Sequence, residues 1–353
     1  MRPNPEFWRG KRVLLTGHTG FKGAWTLCWL NKLGAHVTGL SLAPETAPAM
    51  FDQIGGDELC QSTIFDLRDK DKVSQIVGES DPEIVIHMAA QTIVGQSIDA
   101  PLDTLSSNVM GTAHLLDALR GHDGIEAILI ITSDKVYAND DRGRAFEESD
   151  ELGGKDPYSA SKAAKELIVR SFAQTYFSKR TVPIATARCG NIVGGGDYSD
   201  RRILPDVVRA AERGEALVLR HPEATRPWLH VIDGICGYLV YAEALAQNKP
   251  VPNALNFGPS EETALSVRDV TEIMQTALGA SSKWRHEPVP GSVEMITLAV
   301  NSALARETLG WSDRIRGKER IELTADWYRK VADGADPRRL TFEQIDRVAA
   351  ADR

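Results

Sequence analysis

Close to its start the chain reads Thr16-Gly17-His18-Thr19-Gly20-Phe21-Lys22-Gly23, entered from the apolar run Val13-Leu14-Leu15 and left into a helical pattern. Few folds house a strand that turns through three glycines into a helix. Gly17 permits a tight turn with positive φ, Gly20 lets backbone approach a pyrophosphate, and Gly23 lets the helix pack close. The unpaired N–H groups of the helix start then face the ligand, and the helix dipole favours its negative charge. An ordinary glycine-rich strand-to-helix turn is the competing reading.

The chain beyond the turn keeps alternating. Strands are expected at 12–16, 36–41, 83–86, 127–131 and 184–187, and helices at 20–33, 69–77, 100–119 and 157–178, with an irregular stretch from Gly55-Gly56 to about 62. Apolar strands alternating with helices predict an α/β fold, a Rossmann-like doubly wound parallel sheet that binds ligands at the carboxyl ends of its strands. After Asn191 the pattern loosens at Gly194-Gly195-Gly196, Pro205, Pro222, Pro227 and Pro259. This divides the chain into a nucleotide-binding part, 1–190, and a smaller C-terminal α/β substrate lobe, 191–353, some segments of which return to the sheet. Ile321–Tyr328 has helical spacing, and a mostly polar tail follows Gly334.

A net charge of -8 and a pI near 5.6 speak against nucleic-acid or anionic-membrane partners, so an anionic ligand must be met by local groups. Cys28, Cys60, Cys189 and Cys236 form no C-x-x-C and no zinc spacing, so reduced thiols and no metal are expected. No secretory leader pattern and no run of about 18 apolar residues is present, which predicts a soluble, cytoplasmic protein.

Three stretches converge in such a fold. The first is the glycine turn, and the second is Thr132-Ser133-Asp134-Lys135, directly after the strand at 127–131. The third is Tyr158-Ser159-Ala160-Ser161-Lys162, whose i, i+4 spacing puts Tyr158 and Lys162 on one helix face. An ammonium beside the phenol is expected to lower its pKa, making Tyr158 a base that takes an alcohol proton while the carbon gives hydride to nicotinamide. Ser133 can hydrogen-bond the same oxygen. Asp134 and Lys135 add an acid/base pair suited to expelling a β-hydroxyl as water; otherwise they are solvated strand-end charges. The second strand ends Thr38-Gly39-Leu40-Ser41, without the carboxylate that ribose recognition favours, and no Lys or Arg occurs from 33 to 67, so NAD is preferred to NADP. Asp66-Leu67 reads as an adenine contact or a helix cap. Arg220 and Arg226 suit diphosphate oxygens or surface ion pairs.

These motifs, together with His87-Met88-Ala89-Ala90-Gln91, Asn108-Val109-Met110-Gly111-Thr112, Gly190-Asn191-Ile192-Val193 and Ala224-Thr225-Arg226-Pro227-Trp228, resemble the extended short-chain dehydrogenase/reductase family over nearly the whole chain. Within it they are most similar to the nucleotide-sugar 4,6-dehydratases, and the resemblance implies CDP-glucose as substrate. It implies tightly bound NAD held by Gly17 to Gly23, Asp66, Leu67, Ala89, Ala90, Tyr158 and Lys162. Gln91, Asn191, Arg220 and Arg226 would contact the nucleotide sugar. Tyr158 would deprotonate the 4-hydroxyl, assisted by Ser133 and Lys162. Lys135 would be the base at C5, and Asp134 the acid for the departing 6-hydroxyl. The Pro and Arg that this resemblance leads one to expect near 92 and 95 are replaced by Thr92 and Gly95, and an Asp and a Lys by Asn301 and Leu304. A 4-epimerase on the same scaffold, or an idle NAD-binding protein, are the alternatives. The resemblance further implies a homodimer, or a tetramer, built on helices 98–119 and 157–178.

Overall fold

Val13 and Leu15 of β1 (Arg12–Thr16) pack into one core, and Leu14 between them packs into another on the opposite face of the sheet. In the computed structural model, which describes residues 1–139, 143–260, 265–281, 283–288 and 297–350, the same alternation runs through β4 (Ile84–His87) and β5 (Ala127–Ile131). Strands sealed on both faces read as continuous apolar runs, which is why these are visible in the sequence. With β2 (His36–Ser41), β3 (Gln61–Ile64), β6 (Ile184–Arg188) and the strand Ala254–Asn256 they form one seven-stranded sheet. Its order is Ala254–Asn256, β6, β5, β4, β1, β2, β3, with every neighbouring pair parallel. The strand order reverses between β1 and β4, where Thr16 pairs with His87, and in a doubly wound sheet this switch point, at the carboxyl ends, is where ligands bind.

One face carries the helices Phe21–Lys32, Val231–Ala246, Glu319–Ala332 and Pro337–Ala350; the other carries Lys70–Ser80, Gly111–Leu119 and Pro157–Phe172. The second half adds smaller pieces: Leu217–Leu219 pairs with Trp284–His286, and Thr225–Arg226 pairs antiparallel with Leu265–Ser266. Val231–Ala246 and Ala254–Asn256 belong to the main sheet layer.

Four elements differ from the pattern-based expectation. The stretch expected to be irregular from Gly55-Gly56 to about 62 runs into the edge strand β3, whose Gln-Ser-Thr-Ile sequence is too polar to stand out. The helix expected at 100–119 begins earlier, with Val94–Asp99. It breaks at Ala100, which Pro101 holds out of the helical region, and then runs through a wide turn at Ser106–Met110. Ala254–Asn256 is too short to announce itself. The polar tail is a helix, Pro337–Ala350, started by proline and seated through Leu340, Ile345 and Val348.

Candidate active site

Gly17 has φ +76°, and a Cβ there would lie 2.8 Å from the Ala89 nitrogen. A Cβ on Gly23 would stand 2.0 Å from the Gly17 carbonyl oxygen, so the helix start is pressed onto the turn itself. Gly20 faces open space apart from the Gly17 oxygen at 3.5 Å. The helix Phe21–Lys32 has no side-chain cap, whereas Asp69, Asp156 and Ser266 cap other helices. Its first N–H groups are therefore left for an anion, and a dinucleotide diphosphate fits this cradle. The side chains around it have other tasks. His18 lies under the sheet edge, its Nε2 2.8 Å from Ser62 Oγ and its ring edge-on to Phe51, and burial pushes its pKa down to about 4. Thr19 Oγ1 lies 2.8 Å from Ser41 Oγ and donates to the Leu42 carbonyl. Phe21 is half-buried, and Lys22 turns its ammonium toward the Tyr238 ring, 6.0 Å from the centroid.

Asp66 is held by Arg68 at 2.6 Å, which keeps its carboxyl below the ordinary range; Leu67 is buried, its carbonyl 3.1 Å from His114 Nδ1. Ala89 and Ala90 line the start of the loop after β4, where the Ala89 N–H donates to Thr16 Oγ1 at 3.1 Å.

Tyr158 and Lys162 are brought together with the end of β5. Lys162 Nζ lies 5.7 Å from the Tyr158 ring centroid, and Ser133 hydrogen-bonds the phenol. Ser133 Oγ also donates to Asp134 Oδ1 at 3.0 Å, and Asn191 Nδ2 donates to Asp134 Oδ2 at 3.1 Å. Asp134 is only 1 % exposed, so it is not a solvated strand-end charge; Lys135 is half-buried. Asn191 reaches Asp134 from a left-handed backbone, φ 49°. The pKa relationship expected from spacing is reversed. Burial pushes Tyr158 up to about 12 against the pull of Ser133, while burial and then Lys22 push Lys162 down to about 7. Spacing brought the two groups together but could not register how deeply both are sealed.

Gln91 is fastened rather than free: its N–H donates to Asn108 Oδ1 at 2.8 Å, and its side-chain amide pairs with both backbone groups of Ile93. Arg226 lies on the strand Thr225–Arg226 and donates to the Thr225 carbonyl. Arg220 is exposed just beyond Leu217–Leu219, and its carbonyl lies 3.2 Å from His286 Nε2.

Sequence reasoning missed two supports. Glu166 and Arg188 form a buried pair at 2.9 Å that also holds Thr132 and Thr186, fixing the strand ends beneath Ser133. Arg202, on the loop after Gly196, bonds Asp197 and Thr92. Glu166 carried a signal, one turn beyond Lys162; Arg202 carried none.

A Rossmann sheet, an uncapped helix over a glycine turn and a buried Tyr–Lys pair at the strand ends define a dinucleotide-dependent enzyme of the alcohol-oxidising class. The model of the NAD dependent epimerase/dehydratase family matches residues 13–258, and the chain belongs to that family, with NAD as cofactor. It is 37% identical over 337 residues to CDP-glucose 4,6-dehydratase of Salmonella typhimurium, covering 94% of each chain. It is 27% identical to dTDP-glucose 4,6-dehydratase of Xanthomonas campestris, over 89% of this chain and 92% of that protein. Among solved structures, UDP-glucose 4-epimerase of Stenotrophomonas maltophila, with NAD and formylated UDP-arabinopyranose, shares the fold at TM-score 0.80, 22% identity and coverage of 92% and 100%. The dTDP-glucose 4,6-dehydratase of Bacillus anthracis, with NAD, does so at 0.77, 20% and coverage of 93% and 100%.

Proposed function

We propose that this chain is an NAD-dependent nucleotide-sugar 4,6-dehydratase acting on CDP-glucose. One observation carries the reading: Asp134, a sealed carboxyl group oriented by Ser133 and Asn191, shares the chamber of Tyr158. Exchange of a single C4 hydrogen, which is all an epimerase requires, has no use for such an acid. The similarity to the Salmonella enzyme supports CDP-glucose over other hexoses.

The residues divide the work as follows. Ser133 and Tyr158 hold the sugar 4-hydroxyl, and Tyr158 takes its proton as hydride leaves C4. Bound NAD would supply the hydride acceptor for C4 and, once reduced, the hydride donor for C6. The new ketone acidifies C5–H, Lys135 removes that proton, and Asp134 protonates the 6-hydroxyl so that it departs as water. Hydride added to C6 and a proton returned to C5 complete the 4-keto-6-deoxy sugar, so one water is lost and no net oxidation occurs. The uncapped helix start and Gly17, Gly20 and Gly23 would hold the cofactor diphosphate, while Arg220, Arg226 and Asn191 serve the nucleotide sugar from the 191–353 lobe. Two copies pair through helices 98–119 and 157–178, where Ile98, Leu102, Met110 and Leu167 stand 49–78 % exposed.

The test is mass spectrometry after incubation with NAD and, separately, CDP-, dTDP-, UDP- and GDP-hexoses. Loss of one water from the CDP sugar alone is expected. An unchanged mass with a new C4 stereoisomer would replace this reading by an epimerase.

A further inference from the structure

Tyr158 needs a cation to become a base, and the lysine one turn away is itself drifting toward neutrality. A different cation occupies the chamber. Arg202 lies at the start of the helix Ile203–Arg213, and its guanidinium is fixed at both ends, by Asp197 Oδ2 at 2.9 Å and Thr92 Oγ1 at 2.8 Å. Asp197 is itself held, its Oδ1 accepting the Ser199 N–H at 3.1 Å and its carbonyl accepting the Tyr328 hydroxyl.

Thr92 belongs to a segment that cradles the first turn of the Tyr158 helix. Beside it, Gln91 is locked to Asn108; Asn108 Nδ2 donates to Ser161 Oγ at 2.8 Å, and Ser161 Oγ donates to the Tyr158 carbonyl at 2.7 Å. Farther along, Ser97 Oγ accepts the Tyr158 N–H at 3.2 Å. The neighbouring Arg201 fastens the outer end of the same segment through Asp99 at 2.9 Å, in the space left by Gly95, where a Cβ would lie 2.6 Å from Arg201 Nη1.

We propose that Arg202 is a positioning residue of the Tyr158 centre, fastening the 91–99 segment against the first turn of the Tyr158 helix and holding a fixed positive charge at that segment. The inference rests on Tyr158 being the acid/base. Around the phenol stand Ser133, Asp134, Asp156, Lys162 and Tyr238, and the two carboxylates oppose its ionisation. Around Arg202 stand Lys22, Asp197 and Tyr328. Arg202 is the cation whose field draws the phenol down, as an opposite charge does at short range. At 31 % side-chain exposure its field is partly screened by water.

The experiment is the pH dependence of reduced-cofactor formation and product release with whichever sugar the wild type dehydrates. Arg202→Gln moves the acid limb of kcat to higher pH by about one unit, a loss of about tenfold at neutral pH. Arg202→Lys restores most of it. Thr92→Val lowers kcat without moving the limb, and Asp197→Asn, which frees the guanidinium of its counter-charge, moves it to lower pH. Should Arg202→Gln fail to fold, the Asp197→Asn shift decides. An unmoved limb in Arg202→Gln and in Asp197→Asn, or a loss confined to KM, overturns the inference and leaves the dehydratase reading standing. A wild type that turns over none of the four sugars overturns both.

Discussion

Lys162 sits one helical turn beyond Tyr158 with its ammonium 5.7 Å from the phenol ring, yet the lysine gives way: it falls to about 7 while the phenol stands near 12. Such a pair holds a mobile proton near neutrality, on the amine, beside a phenol that accepts one only when its ionised form is stabilised.

Tyr158→Phe removes the proton acceptor and nothing that faces the glycine turn. The rate of cofactor reduction falls by about 10²–10⁴-fold, the range for a lost general base, while NAD affinity measured by calorimetry stays within twofold of wild type, about the precision of such titrations. Undiminished turnover would remove Tyr158 from the mechanism.

The glycine turn, the five inner strands and the Tyr158–Lys162 juxtaposition were legible because each is local: a positive φ at Gly17, an apolar run such as Ala127–Ile131, a spacing of four on one helix. What escaped was long-range or polar. β3 is an edge strand in which three of four side chains are hydroxyl or amide, and Arg202 meets Thr92 across 110 residues, a contact between two loops that imprints no periodicity. The exchange of proton affinity between Tyr158 and Lys162 escaped for another reason: it depends on depth, and depth is set by elements from both halves of the chain.

Lys165 is 0 % exposed, and its Nζ has no hydrogen-bond partner among the described residues; burial, then Lys162, hold its pKa well below 10.5. Unfolded, the amine keeps its proton up to its ordinary value, whereas folded it has released it far lower. Between those limits the unfolded chain binds the extra proton, so this group makes stability rise with pH up to about 10.5. Lys165→Met fills the same space without a polar atom and is expected to raise stability at neutral pH by about 1–3 kcal/mol and flatten that slope. Urea denaturation at several pH values reads both; equal stability and slope would show the amine to be satisfied.

Leu102 at 78 % exposure and Leu167 at 54 % lie on the two helices assigned to self-association. Leu102→Glu with Leu167→Glu places charges where two copies would meet, and sedimentation velocity should show a dimer becoming a monomer with NAD binding retained. A wild-type monomer, or a double variant with unchanged sedimentation, would assign those leucines elsewhere.

Gly190 leaves the room that the Asp134 carboxyl group occupies. A Cβ at 190 would fall 1.9–2.2 Å from the three atoms of the Asp134 carboxyl group, and Gly190 has no positive φ, so alanine there costs little except this collision. The carboxylate would have to leave the Ser133 hydroxyl and the Asn191 amide that orient it. Gly190→Ala should therefore behave like Asp134→Asn, and Lys135→Ala should stall at the same stage: C4 is oxidised, reduced cofactor builds up, and water loss slows by about 10²-fold or more. Stopped-flow absorbance of the reduced cofactor beside product mass resolves the two stages. If Asp134→Asn and Gly190→Ala both release water at the wild-type rate, Asp134 is not the acid; if both spare a C4 inversion and no water is ever lost, the chamber serves an epimerase.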